Sequence, residues 1–119
     1  MAAARRLAAI VFTDIVGYTA LSQQDEPAAL GLLEEQDRVV RGLLQIHRGR
    51  KVKSMGDGLL LEFPDALDAV ECAVELQQKV HERNAAKGGH PLQIRVGIHL
   101  GDVQQLGLQQ RERDQRHDQ

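Results

Sequence analysis

Two aspartates stand where carboxylate chemistry is possible. Asp14 follows an apolar run, residues 7–13, whose β-branched and aromatic members are typical of a strand buried on both faces. Asp57 lies between Gly56 and Gly58, a pattern typical of a tight turn that joins two strands. Two carboxylates with few other polar ligands suit Mg²⁺ or Mn²⁺, which prefer oxygen and keep positions open for phosphate oxygens. The pair predicts a metal site for phosphoryl chemistry.

Each aspartate also has an ordinary structural interpretation. Asp14 could cap the helix that follows it, and Asp57 could simply build its turn, because aspartate is common in both roles. For either residue alone, the structural role is the more frequent one. The metal site gains support only if the two residues lie on elements that touch.

The elements that must position them follow from hydrophobic periodicity. A strand, a helix, a hairpin of two strands, a second helix and a last strand give the order β-α-β-β-α-β. The strands are predicted at residues 7–13, 50–55, 59–63 and 92–100, and the helices after the capping residues Asp25 and Asp65. This is the ferredoxin-like α+β arrangement, an antiparallel sheet with helices on one face. The first strand and the hairpin are neighbours in it, so Asp14 and Asp57 should converge at one edge.

The helices should bury one apolar face each. Gly49 is predicted to end the first long helix, and Cys72 to pack as a small apolar residue in the second. The predicted apolar positions of the first long helix are Leu30, Leu33, Val40, Leu43 and Leu44. Those of the second include Ala66, Ala69, Val70, Ala73, Val74, Leu76 and Val80.

Composition limits the class of protein. The chain has 119 residues, which fits one small domain, and 3% aromatic residues without tryptophan, so its core must be aliphatic. A net charge of −2 argues against a nucleic-acid binder driven by bulk charge. The single cysteine excludes an intrachain disulfide and is compatible with a reducing, cytoplasmic setting. No stretch is long enough to span a bilayer.

A basic stretch at residues 38–53 is the local exception to this charge balance. It contains six arginines and lysines, namely Arg38, Arg41, Arg48, Arg50, Lys51 and Lys53. The common interpretation of such a run is a solvated helix face. The alternative is a positive field beside an anionic ligand.

Three motifs carry a resemblance to a known family. Residues 12–19 (FTDIVGYT), 53–58 (KSMGDG) and 95–103 (RVGIHLGDV) resemble, in the same order and with similar spacing, motifs of the class III adenylyl/guanylyl cyclases. The resemblance covers about residues 6–103. Residues 1–103 are therefore interpreted as a partial nucleotide cyclase catalytic domain.

The resemblance implies a set of site residues. Asp14 and Asp57, with the backbone carbonyl of Ile15, would hold two Mg²⁺ or Mn²⁺ ions. Lys53 would contact the purine and favour ATP over GTP as substrate. The phosphates would lie against Gly17, Tyr18 and Thr19. The implied reaction converts ATP to cyclic AMP and pyrophosphate in cyclic-nucleotide signalling. Arg95, His99 and Asp102 also match the third motif, and no catalytic role is assigned to them.

The segment after Val103 departs from the family pattern. Residues 104–119 are polar and without periodicity, and are expected to be disordered or a frayed helix. In the family, a further strand and helix supply a second purine-selecting residue and an Asn/Arg pair that stabilises the transition state. The chain is expected to be a C-terminally truncated domain, either natural or frameshifted. Its metal half-site is present and its transition-state half is missing.

The family also implies partners. Its cyclases act as dimers in which each site draws on two chains, so a homodimer or an intact cyclase partner is expected. Alone, the chain should have little or no activity. Two other interpretations remain: a non-catalytic metal- and nucleotide-binding or dimerisation module derived from a cyclase, and an unrelated ferredoxin-like regulatory domain whose aspartates are structural.

Overall fold

A computed structural model describes residues 7–102 of the chain and contains seven helices and strands. The four strands are β1 (Leu7–Ile15), β2 (Arg50–Met55), β3 (Gly58–Phe63) and β4 (Ile94–Asp102). The three helices are α1 (Tyr18–Gln24), α2 (Glu26–Ile46) and α3 (Ala66–Ala86). The predicted order β-α-β-β-α-β is confirmed, with α1 as a short addition before the first long helix.

The strands form one sheet in the order β2-β3-β1-β4, with each neighbouring pair antiparallel. This confirms the α+β, ferredoxin-like arrangement. Strand β1 is central: Val11 lies opposite Leu61 of β3 and opposite Ile98 of β4. The register decides which side chains become neighbours across the sheet, because residues directly opposite each other point to the same face.

The helices α2 and α3 cover one face of this sheet. On that face Val11 and Ile15 of β1 are buried together with Leu61 and Phe63 of β3. The other face is more open, and Phe12 is 44% exposed there. The prediction that β1 is buried on both faces is therefore wrong at Phe12, because none of the helices among residues 7–102 packs over that side.

The buried faces of the helices differ in part from the predicted ones. In α3, Val70 and Val74 are about half exposed, although both were predicted to be buried. The residues that pack on the sheet are Ala69, Cys72, Leu76 and Val80, which follow helical spacing. Val70 follows Ala69 and therefore lies about 100° round the helix from it, beyond the strip that reaches the sheet. Val74 is one turn after Val70 and lies on the same side of the helix. Burial of Cys72 confirms its prediction.

The helix starts agree with the predicted caps. The Asp25 carboxylate accepts a hydrogen bond from Ala28 N, and the Asp65 carboxylate accepts one from Asp68 N. At the end of α2, the left-handed conformation falls on Arg48, with φ 60°, and not on Gly49.

Gly49 is required for space. A Cβ at this position would lie 2.4 Å from the Phe63 ring, closer than any real contact allows. The end of α2 can approach β3 only because the side chain is absent.

The polar segment at residues 104–119, and with it the boundary of the domain at residue 103, lies outside the described residues. Among residues 7–102, none of the helices has the length and apolar character needed to cross a membrane.

Candidate functional site

The Asp57 carboxylate joins the hairpin to the end of β1. Ile15 N donates a hydrogen bond to Asp57 Oδ2 over 2.9 Å. Ile15 follows Asp14 directly, so the structure brings both aspartates to the same end of neighbouring strands, as the topology predicts. The bond crosses 42 positions of sequence, which means that tertiary contact, and not the turn itself, orients this carboxylate.

A close backbone approach fixes this arrangement. A Cβ on Gly58 would lie 1.8 Å from the carbonyl oxygen of Thr13. Only glycine allows β3 to begin this close to β1. Gly56, at φ 58°, supplies the left-handed residue of the turn on the other side of Asp57.

The Asp14 carboxylate is bound by a guanidinium. Arg95, opposite Asp14 in the β1–β4 register, donates from Nε to Oδ1 over 2.9 Å and from Nη2 to Oδ2 over 3.2 Å. The hydrogen bonds and charge of Asp14 raise the pKa of Arg95, and the charge of Asp57 adds to this. Both carboxylates therefore act on the same guanidinium, which is 73% exposed.

Sequence reasoning missed the ion pair between Arg95 and Asp14. The two residues are 81 positions apart, and the third motif alone gave Arg95 no partner. A signal was available, because the predicted topology places β4 beside β1. Only the register shows that Arg95, and not a neighbour, faces Asp14.

A buried amide lies beneath the two aspartates. Gln36 of α2 is fully buried. Its Nε2 donates to the carbonyl of Asp57 over 3.0 Å, and its Oε1 accepts from Thr13 Oγ1 over 2.9 Å. Thr13 Oγ1 in turn accepts from Leu59 N over 3.1 Å. Sequence reasoning also missed Gln36; the available signal was a polar residue four positions from Val40 on the apolar face of α2.

Neither aspartate caps a helix or closes its turn through its side chain. Helix α1 begins at Tyr18, its N-cap is Gly17 with φ 76°, and no side chain caps it. Asp14 therefore does not serve as a helix cap. Asp57 does occupy the turn, but its carboxylate reaches across to β1 and makes no capping bond within the hairpin.

The four residues predicted to contact substrate lie on two elements. Gly17 immediately precedes α1, and Tyr18 and Thr19 form its first turn. Lys53 is exposed on the edge strand β2, opposite Leu60.

The register also relates Lys53 to the aspartates. Leu60 lies opposite Phe12 on β1, and Phe12 is two residues from Asp14. Because residues two apart in a strand share a face, Lys53, Phe12, Asp14 and Arg95 lie on the same open face of the sheet. A ligand bound at the two aspartates could therefore extend across Phe12 toward Lys53.

The basic stretch at residues 38–53 is largely neutralised. Arg41 and Lys51 both pair with Asp37. Arg48 pairs with Asp68, and Arg50 with Glu62, each over 2.6 Å. These ion pairs weaken the alternative of a strong positive field beside an anionic ligand. Lys53 makes none of the ion pairs found among residues 7–102 and keeps its charge available to a ligand.

The donor set at the aspartates fits a hard divalent ion. Between residues 7 and 102, no three or more His, Cys, Asp or Glu side chains cluster as a complete metal cage. Asp14 and Asp57 supply carboxylate oxygens, while Ile15 has a buried side chain and can offer only its carbonyl. Mg²⁺ commonly binds through one or two carboxylates and takes its other ligands from substrate phosphates and water. Such an ion would have to compete with Arg95 for Asp14.

Several known proteins resemble this chain in sequence and fold. The family model described as adenylate and guanylate cyclase catalytic domain matches residues 2–114. A Rhizobium meliloti protein named "Putative adenylate cyclase 3" is 44% identical over 101 residues, covering 83% of this chain and 17% of its own length. An adenylate cyclase of Streptomyces coelicolor is 36% identical over 101 residues, covering 83% of this chain and 25% of its own length.

A solved structure shares the fold. The adenylate/guanylate cyclase/hydrolase of Silicibacter pomeroyi superposes with a TM-score of 0.72 at 34% identity, covering 83% of this chain and 59% of that one. The chain thus spans less than two thirds of the relatives it matches. The family model extends over nearly the whole sequence, and on that basis this chain belongs to the adenylate and guanylate cyclase catalytic domain family.

Proposed function

We propose that this chain forms the metal- and nucleotide-binding half of a nucleotide cyclase site that converts ATP to cyclic AMP and pyrophosphate. The observation that carries the proposal is the hydrogen bond from Ile15 N to Asp57 Oδ2, which holds the hairpin carboxylate beside Asp14. With ATP as the proposed substrate, we also propose a cytoplasmic location and a role in cyclic-nucleotide signalling.

Each residue of the proposed site has a defined task. Asp14 and Asp57, with the Ile15 carbonyl, would hold two Mg²⁺ or Mn²⁺ ions. When bound, such ions lower the charge on the phosphates and activate the attacking ribose oxygen. Arg95 would leave Asp14 as the metal arrives, and its guanidinium suits phosphate oxygens at the same edge.

The remaining contacts concern the nucleotide itself. Gly17, Tyr18 and Thr19 would lie against the phosphates, at the start of α1. Lys53 would contact the purine and favour ATP over GTP. The open face between Lys53 and Asp14 is lined by Phe12, whose exposed ring offers an apolar surface to a base or sugar.

By itself, a polypeptide of this sequence should convert ATP to cyclic AMP only slowly. The transition-state groups expected from a second chain are not matched in residues 104–119. Loss of one preorganised group that stabilises developing charge typically lowers kcat by about 10²–10³-fold. We propose an intact cyclase partner as the source of the missing groups, because a homodimer of this sequence would lack them at both of its sites.

The decisive experiment measures Mn²⁺ binding by electron paramagnetic resonance, with and without ATP, followed by chromatography for cyclic AMP. Wild type should bind Mn²⁺, and Asp14→Asn and Asp57→Asn should each reduce the affinity by at least about tenfold, as loss of a metal ligand or its support does. Asp25→Asn is the matched control, because asparagine also caps a helix and Asp25 lies outside the site.

The possible outcomes separate the alternatives. Unchanged Mn²⁺ affinity in both site variants would show that the aspartates are structural. Binding of Mn²⁺ and ATP without cyclic product, even when an intact cyclase subunit is added, would support a non-catalytic module. Product formation restored by that subunit and lost in Asp57→Asn would support the proposed half-site.

A further inference from the structure

The side chain of Gln36 connects helix α2 to strand β1, which carries Asp14, and to the turn that carries Asp57. It is 0% exposed and forms hydrogen bonds at both ends of its amide. One bond goes to Thr13, the residue before Asp14, and the other to the backbone of Asp57. Gln36 is therefore bonded to the backbone of Asp57, one proposed metal ligand, and to the residue that precedes Asp14, the other.

The direction of this amide is dictated by its partners. The Asp57 carbonyl can only accept, so the Gln36 nitrogen must face it. The Thr13 hydroxyl already accepts from Leu59 N, which leaves its proton for the Gln36 oxygen. The hydrogen-bond network therefore has one consistent orientation, because exchanging the two ends of the amide would place its oxygen opposite the Asp57 carbonyl, where neither atom can donate.

Burial makes this network costly to disturb. Thr13 is 5% exposed, and a buried polar group left without a partner costs more than the bond contributes. The network acts on the same small region as the Gly58 contact with the Thr13 carbonyl. Thr13, Leu59 and the Asp57 backbone are thus fixed from the core side, while Asp14 lies on the open face of the sheet.

We propose that Gln36 is a positioning residue that sets the separation and orientation of Asp14 and Asp57 for metal binding. The inference rests on the proposed metal site. It implies that Mn²⁺ affinity depends on the position of α2 relative to β1 and the hairpin. Groups that support metal ligands from behind typically change metal affinity by about 10–100-fold when they are removed.

The test compares Gln36→Met with Val80→Ala. Methionine keeps the length and volume of glutamine without its hydrogen bonds. Val80 is buried in α3, away from the network, so its truncation destabilises the core without touching Thr13 or Asp57. Mn²⁺ affinity should fall at least about tenfold in Gln36→Met. It should stay within about twofold of wild type in Val80→Ala, measured where both variants are fully folded.

A second pair separates positioning from packing at Thr13. Thr13→Ser keeps the hydroxyl and should retain wild-type Mn²⁺ affinity, whereas Thr13→Val removes it and should weaken binding as Gln36→Met does. Equal affinities for the serine and valine variants, or an unchanged affinity in Gln36→Met, would overturn the inference.

Amide hydrogen exchange provides a readout that does not need metal. The N–H of Ile15 bonds to the Asp57 carboxylate, and that of Leu59 bonds to Thr13. Both should exchange faster in Gln36→Met than in Val80→Ala at equal stability. If wild type binds no Mn²⁺, the proposed function fails, and exchange at these two amides alone decides whether Gln36 positions the hairpin. Unchanged exchange there would overturn the inference.

Discussion

Arg95 and Asp14 form a two-point ion pair across strands β4 and β1, with donor–acceptor distances of 2.9 and 3.2 Å. The guanidinium occupies both oxygens of a carboxylate that is proposed to bind metal. Because both partners are substantially exposed, 73% for Arg95 and 43% for Asp14, the pair is of the weak, exchangeable kind.

Removal of Arg95 should therefore strengthen metal binding when no nucleotide is present. In Arg95→Ala, Mn²⁺ affinity should rise only about two- to fivefold, because an exposed ion pair is weak. Isothermal titration calorimetry at fixed ionic strength measures this. Arg48→Ala is the control, because it removes the same charge from an exposed pair with Asp68. An equal gain in both variants would attribute the effect to net charge alone.

Gly58 should tolerate no side chain. In Gly58→Ala the new Cβ would meet the Thr13 carbonyl at 1.8 Å, so β3 must move away from β1. We expect a loss of at least about 2 kcal/mol in the free energy of unfolding, measured by urea denaturation. Gly42→Ala is the matched control: nothing lies within 4 Å of its Cβ position in α2, and alanine should stabilise the helix by about 0.5–1 kcal/mol. A mild effect of Gly58→Ala would contradict the close approach.

The ion pair between Glu35 and Arg83 should make stability depend on pH in the acid range. Arg83 donates from Nη2 to Glu35 Oε1 over 2.7 Å, and it also donates to the His90 carbonyl, which ties α2, α3 and the loop before β4 together. The hydrogen bond from Arg83, which outweighs burial, lowers the pKa of Glu35.

Protonation of Glu35 at low pH should remove the stabilisation that its carboxylate provides. A carboxyl with a lowered folded pKa stabilises the fold above its unfolded pKa of about 4.3 and loses this contribution as pH falls through the lower folded value. In Glu35→Gln the free energy of unfolding should be about 1–3 kcal/mol smaller at pH 7, and the difference from wild type should shrink toward pH 3. Denaturation at several pH values tests this, with the exposed neighbour Glu34→Gln as control. A difference that is constant with pH would contradict the prediction.

Cys72 should be nearly inert in the folded protein. Burial, helped by the charge of Glu75, raises the pKa of its thiol to about 11. At pH 8 only about one thiol in a thousand would be ionised, and the thiolate is the reactive form. Reaction with a colorimetric disulfide reagent should be slow for the native chain and fast in denaturant. Rapid reaction of the folded protein would show that α3 opens readily.

The proposed contact between Lys53 and the purine predicts a preference for ATP over GTP. Lys53→Ala should lower the affinity for ATP more than that for GTP, since the lysine is proposed to contact the purine of ATP. Competition binding with the two nucleotides in the presence of Mn²⁺ measures the ratio of affinities. Lys79→Ala, an exposed lysine on α3, should leave both affinities unchanged. Equal losses for ATP and GTP would make Lys53 a general contact and not a selector.

Local chemistry in the sequence determined the elements of this protein. Aspartates at 25 and 65 start helices, alternating apolar residues form strands, and glycines on both sides of Asp57 form a hairpin turn. These features act over a few residues, so the order β-α-β-β-α-β, the sheet class and the meeting of Asp14 with the hairpin could be predicted.

Tertiary structure decided which side chains meet. Arg95 reaches Asp14, and Gln36 reaches Thr13 and Asp57, over separations of 81, 23 and 21 residues. Periodicity gives each of these residues a face, but not a partner. The partner depends on strand register and on the rotation of α2, because shifting a strand by one residue turns every side chain to the other face. Packing of the whole core fixes both, and with them the surroundings of the two aspartates.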